Sequence, residues 1–206
     1  MPISARYPAI EVLTGVAFVL VALFFAPRIA EAQGGAAVAG AVLELLAFLV
    51  LAAVSVALSA IDLELHRLPN RILAFAAVAG LLLLVPALLL MGRPELLVSA
   101  AVGAVASFAF YLLLALISPR GMGMGDVKLA GVIGLYLGAL GWAQLAVGVM
   151  AAFAVGAIAG AIVLIARRSL ADRRVPFGPW MFAGAWIGIV GGEPIAAGYL
   201  AAVGLG

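Results

Sequence analysis

Cysteine is absent from this chain, and histidine occurs once, at His66. Without cysteine there is no disulfide framework, no thiol nucleophile and no thiolate zinc or iron–sulfur site. One histidine also argues against a histidine-based metal centre. Charge is scarce as well: only 10% of the 206 residues are Asp, Glu, Lys or Arg. Apolar residues make up 67% of the chain and the mean hydropathy is +1.33. A soluble domain of this length cannot hide so much apolar surface, so the solvent must be lipid. A net charge of +2 and a pI near 9.4 could suggest nucleic acid. However, 11 basic residues scattered between apolar runs make no basic face. No metal, cofactor or nucleic acid is expected.

The apolar residues fall into runs long enough to cross a bilayer. The first covers residues 9–26 and is closed by Pro27-Arg28. Ala30-Glu31-Ala32 beyond it has the small-x-small form that signal peptidases read, yet the run is longer than a usual signal core and many spans follow. It is read as a retained first helix. Residues 36–61 would make a helix ~39 Å long, more than the ~30 Å hydrocarbon core, so its end emerges into the polar connection Asp62 to Arg71. Pro69 biases Leu68 away from helix and helps to end this segment. Residues 72–91 and 96–117 are two further runs. Residues 127–166 carry Lys128 as their only charge and are too long for one crossing, with Gly141-Trp142 as the expected turn. Two short pieces, 181–190 and 195–205, lie either side of Glu193-Pro194. The expected fold is an all-α, polytopic integral membrane bundle of seven to eight transmembrane helices. It forms a single membrane-embedded domain over 1–206, with 1–35 a first helix and loop of peripheral character and 36–192 the core.

Basic residues orient the array. With the N-terminus in the cytoplasm, the inner side collects Arg6, Arg67, Arg71, Arg120, Lys128, Arg167, Arg168, Arg173 and Arg174, and only Arg28 and Arg93 fall outside. This is a clear positive-inside bias. Two crossings, an even number, separate Asp62 from Asp126. Both acids are therefore expected at the cytoplasmic membrane boundary and at similar depth.

Asp126 follows Gly121-Met122-Gly123-Met124-Gly125 and precedes Val127-Lys128-Leu129. An ionisable group at membrane depth is costly and usually functional. The alternating glycines remove side-chain bulk, so another backbone can come close beside the acid. Two facing carboxylates cannot both ionise cheaply, so they share a proton and titrate as a pair. One can then draw a proton from water while the other polarises a peptide carbonyl, the division of labour of an aspartic protease. Lys128, two residues on, does not share a helix face with Asp126 and is expected to meet lipid phosphates or another segment.

Gly123-x-Gly125-Asp126 with Val127-Lys128-Leu129 resembles the GxGD motif of the type IV prepilin peptidases, which are membrane aspartic proteases. Ile61-Asp62 with Leu68-Pro69-Asn70 is similar to the family's first-aspartate segment, and Val175-Pro176-Phe177-Gly178-Pro179 to its late PFGP-like segment. Presenilin-like proteases carry a related GxGD but pair it with Tyr-Asp, where this chain has Ile61-Asp62. The resemblance implies an endopeptidase that removes the short basic leader of prepilin or pseudopilin precursors at the cytoplasmic membrane face, in pilus or secretion systems. Asp62 and Asp126 would be catalytic. Gly123, Gly125 and Lys128 would form the active-site loop. Pro69, Asn70, Pro176, Phe177, Gly178 and Pro179 would serve substrate or structure, the late segment reading most simply as a helix-breaking turn. Longer family members carry a cytosolic domain with cysteine pairs that is linked to N-methylation. Here the first two runs are separated only by residues 27–35 and no cysteine exists, so methyltransferase activity is not expected.

Other polar residues fit structure better. Glu44 lies 18 residues before Asp62, ~27 Å along a helix, and is expected near the outer boundary. Glu64 and His66 read as a solvated loop. Gly134/Gly138, Gly156/Gly160 and Gly184/Gly188 have the small-xxx-small spacing of close helix packing. Two readings compete with the peptidase. One is a small transporter or proton pathway using the paired acids, although both acids sit at one boundary and no internal repeat is evident. The other is a membrane scaffold in which the aspartates are replaceable.

Overall fold

Lipid offers no partner to a backbone amide, so runs rich in Leu, Ala, Val and Phe must satisfy their own hydrogen bonds as helices. The computed structural model describes residues 7–117, 122–167 and 176–204 of this chain. Among them are seven helices and no strand: α1 (Tyr7–Glu31), α2 (Gly35–Leu65), α3 (Asn70–Leu90), α4 (Glu95–Ile117), α5 (Met124–Leu140), α6 (Trp142–Arg167) and α7 (Gly178–Ala202). Arg6, Arg120, Gly121, Arg168, Arg173, Arg174 and Val175 lie outside the described residues.

Six of the helices are long and apolar enough to cross a membrane. The exception, α5, has 17 residues and is ~25 Å long. It packs against α3, α4, α6 and α7, and every residue from Val132 to Leu140 is buried. The shortest helix is thus the hub of the bundle. By contrast, α1 packs chiefly on α2 and leaves much of its apolar surface uncovered.

Gly141 makes the expected turn between α5 and α6, with φ at 136°. Other proline and polar boundaries are overrun. The helix α1 passes through Pro27 to Glu31, and α7 is one helix through Glu193-Pro194 instead of two short ones. A proline forfeits one hydrogen bond, but in lipid breaking the helix would orphan several more amides. For the same reason α2 continues past Ile61 to Leu65, so Asp62 belongs to its last turn and not to the loop after it.

Glycines set the closest helix contacts. A Cβ on Gly134 would strike the Gly103 carbonyl, and one on Gly138 the Ser99 carbonyl, so α4 and α5 meet backbone to backbone. Ser99 Oγ donates to Gly138 O at 2.6 Å across this seam. Gly184 and Gly188 abut Ala152 and Gly148 of α6 in the same way. Gly156 makes room for the Phe177 ring, whereas Gly160 faces open space and serves no packing. At the far end of α2, Glu44 is 1% exposed and pairs with Arg28 of α1 at 2.9 Å. The Arg28 guanidinium also lies 4.8 Å from the Phe25 ring centroid.

Candidate active site

Asp62 sits in the last turn of α2 and is 4% exposed. The helix is closed by His66 in the left-handed conformation (φ 51°, ψ 42°), whose N–H donates to Asp62 O at 2.9 Å. Pro69 then caps α3 in an extended conformation. The Asp62 carboxylate reaches away from its own helix: Oδ2 accepts the Gly178 N–H at 3.0 Å. Gly178 opens α7, where free amides and the helix dipole favour an acidic partner.

Asp126 occupies the first turn of α5, three residues after the N-cap Gly123. Its Oδ2 folds back to accept the Gly123 N–H at 3.1 Å. A Cβ on Gly123 would lie 3.3 Å from that oxygen. The two acids belong to helices far apart in sequence, α2 and α5.

Leu68 wedges between the start of α5, which carries Asp126, and the start of α7, which holds Asp62. A Cβ on Gly125 would lie 2.9 Å from Leu68 Cβ, and one on Gly178 would lie 3.3 Å from Leu68 Cδ2 and 2.9 Å from Asp62 Oδ2. Glycine at both positions leaves room for the loop before α3, the start of α5 and the start of α7 to meet. Lys128 Nζ donates to Asn70 Oδ1 at 2.9 Å on the exposed side, joining α5 to the beginning of α3. Of the two partners expected for Lys128, the described structure gives it another segment of the chain.

Pro176 and Phe177 are half-buried, and Phe177 is the residue before α7. Its ring packs edge-on to Tyr111 of α4, with centroids 6.4 Å apart. Pro179 lies in the first turn of α7, where a missing N–H costs nothing. The late segment therefore does more than turn the chain, because its Gly178 amide holds a carboxylate. Sequence reasoning missed Leu68 as a spacer and Tyr111 as a neighbour of the site. Their only signals were a leucine before a proline and a tyrosine near the end of an apolar run. Glu64 and His66 are exposed. Among the described residues, no three His, Asp or Glu gather as a metal would require. An apolar groove of about 290 Å³ lined by Val21, Phe25, Trp186 and Ile189 contains no acid and lies between α1 and α7, apart from the aspartates.

Fold and site together define a polytopic helical membrane protein in which acids from two separate helices are each held by a backbone amide, with Leu68 packed against the segments that hold them. Residues 49–165 match the model of the Type IV leader peptidase family, and the chain belongs to that family. The matched stretch contains both aspartates, Asn70 and Lys128, while the segment 176–179 lies beyond it. The chain is 32% identical over 204 residues to the Aeromonas hydrophila protein named prepilin leader peptidase/N-methyltransferase, covering 97% of this chain and 63% of that one. It is 29% identical over 198 residues to the Bacillus subtilis (strain 168) protein of the same name, covering 96% and 71%. It thus spans less than two thirds of the length of the Aeromonas relative. No solved structure matches it.

Proposed function

We propose that this chain is a membrane aspartic endopeptidase that removes the leader peptide of prepilin or pseudopilin precursors. The observation that carries the reading is that Asp62 and Asp126 are each held by a backbone amide at a helix start, while Leu68 packs between the start of α5 and the start of α7. One carboxyl is ionised and takes a proton from a water molecule. The other is protonated and donates to the carbonyl oxygen of the scissile peptide. The water oxygen bonds to the carbonyl carbon, and the tetrahedral adduct collapses as the C–N bond breaks and the departing amine is protonated.

Within this proposal Gly123 and Gly125 shape the loop that aims Asp126, Gly178 anchors Asp62, and Lys128 with Asn70 ties the beginnings of α5 and α3 together. Pro69, Pro176, Phe177 and Pro179 hold those segments in place. The site faces the cytoplasm of a prokaryotic inner membrane, a reading supported by the excess of basic residues in the connections on that side and by Arg67, Arg71 and Lys128 close to the acids in sequence. Precursor proteins and surrounding lipids are its partners. Methyl transfer is not part of the reading, because residues 32–34 alone connect α1 to α2 and the chain has no cysteine.

The test is to co-express the chain with a candidate prepilin and follow the leader-size shift on a gel. The unaltered protein should produce the shift, and Asp62→Asn and Asp126→Asn should not. Processing by both variants would sink the mechanism.

A further inference from the structure

The bundle buries two tyrosines almost completely and treats them differently. Tyr136 of α5 is 0% exposed, and its hydroxyl donates to Ala76 O of α3 at 3.0 Å. That is the expected fate of a structural phenol, since a buried hydroxyl needs a partner. Tyr111 of α4 is 2% exposed, yet its hydroxyl is buried without a hydrogen-bond partner. Leaving such a group unpaired costs free energy, whereas phenylalanine would fill the same envelope at no such cost. The ring is already well packed, edge-on to Phe110 at 5.6 Å and to Phe177 at 6.4 Å.

The place of this unpaired hydroxyl is informative. Phe177 immediately precedes Gly178, whose amide holds Asp62, and α4 packs along α5, the helix that carries Asp126. Tyr111 therefore sits beside the segment that holds Asp62, on the helix packed against the one that carries Asp126, and its own helix contributes neither acid.

We propose that the Tyr111 hydroxyl is a catalytic hydrogen-bond donor, whose missing partner is the carbonyl oxygen of the bound scissile peptide. The inference rests on the acid-pair reading above and adds a third group to it. As the water oxygen bonds to the carbonyl carbon, negative charge grows on the carbonyl oxygen. The protonated aspartate donates to one lone pair and Tyr111 to the other. The tyrosine keeps its proton throughout, so its contribution is electrostatic stabilisation in a water-poor site and not proton transfer.

The test compares Tyr111→Phe with Tyr136→Phe, Asp62→Asn and Asp126→Asn in the full chain, measuring cleavage kinetics on a prepilin and thermal unfolding in detergent. For Tyr111→Phe, kcat is expected to fall about 10- to 100-fold with little change in KM, while the unfolding midpoint stays the same or rises. Tyr136→Phe should show the reverse, a lower midpoint with kcat retained. If Tyr111→Phe keeps kcat within twofold of the unaltered protein while both Asn variants are inactive, the tyrosine inference fails and the acid pair stands. A lowered midpoint for Tyr111→Phe would also overturn it, by revealing a structural partner for the hydroxyl. If both Asn variants still cleave, the acid-pair reading fails and takes the tyrosine role with it.

Discussion

The Gly178 amide donates to Asp62 Oδ2 at 3.0 Å across 116 residues of sequence, so the start of the last helix positions the acid at the end of the second. A methyl group at Gly178 would lie 2.9 Å from that oxygen and 3.3 Å from Leu68 Cδ2. Gly178→Ala is therefore expected to push Asp62 off its anchor and slow leader removal by about 100-fold, the usual penalty for an ångström-scale misplacement. The helix content, followed by circular dichroism, should not change. An alanine variant with undiminished cleavage would show that this contact does not hold the acid in working position.

If both acids act on one water, neither is useful alone. Each single Asn substitution should lower the rate by at least about 1,000-fold, and the double variant should be no slower than the slower single one. Rate losses that multiply across the two sites would mean that the acids work independently. Single-turnover cleavage of a purified precursor gives the comparison.

The Arg28–Glu44 pair lies at the opposite end of α2 from Asp62, with the Glu44 side chain 2% exposed and that of Arg28 33% exposed. Removing one partner strands a buried charge, so Arg28→Leu is expected to cost about 3 kcal/mol, the lower end for a buried pair because Arg28 is partly open. Replacing both by leucine should restore most of that loss, since a matched apolar pair avoids desolvating two charges. Thermal unfolding of the three variants decides it. A double variant as unstable as the single one would mean that the ion pair itself ties α1 to α2.

The α4–α5 seam is set by backbone contact. Gly138→Ala would place a methyl group against the Ser99 backbone, which cannot swing away as a side chain can. It should destabilise the protein by about 2 kcal/mol through overpacking and should weaken the Ser99–Gly138 hydrogen bond. Gly160→Ala, facing open space, is the matched control and should be neutral or slightly stabilising. Equal effects at the two positions would contradict the close approach.

Much was legible in the sequence because lipid leaves the chain few choices. Apolar runs of spanning length had to become helices, and the length of residues 127–166 demanded the turn found at Gly141. The motifs around Asp62 and Asp126 pointed to one site because an even number of crossings separates them. Element ends were less legible. Proline reads as a breaker in water, but Pro27, Pro86 and Pro194 all lie within helices. The spacing of Gly156 and Gly160 suggested a helix seam, although one meets a phenylalanine ring and the other meets nothing.

Composition and order alone determined that this is a helical membrane protein, and led to the expectation of two acids on one side, because hydrophobic length and crossing parity are properties of a linear string. Only the tertiary structure decided what surrounds those acids. The Gly178 amide on Asp62 and the Lys128–Asn70 bond join different helices, Leu68 reaches from a loop to the starts of two more, and the Tyr111 hydroxyl is buried without a partner. Such contacts depend on how helices rotate and how closely their backbones approach. Side-chain volumes packed in three dimensions set both, and no periodicity along the chain records them.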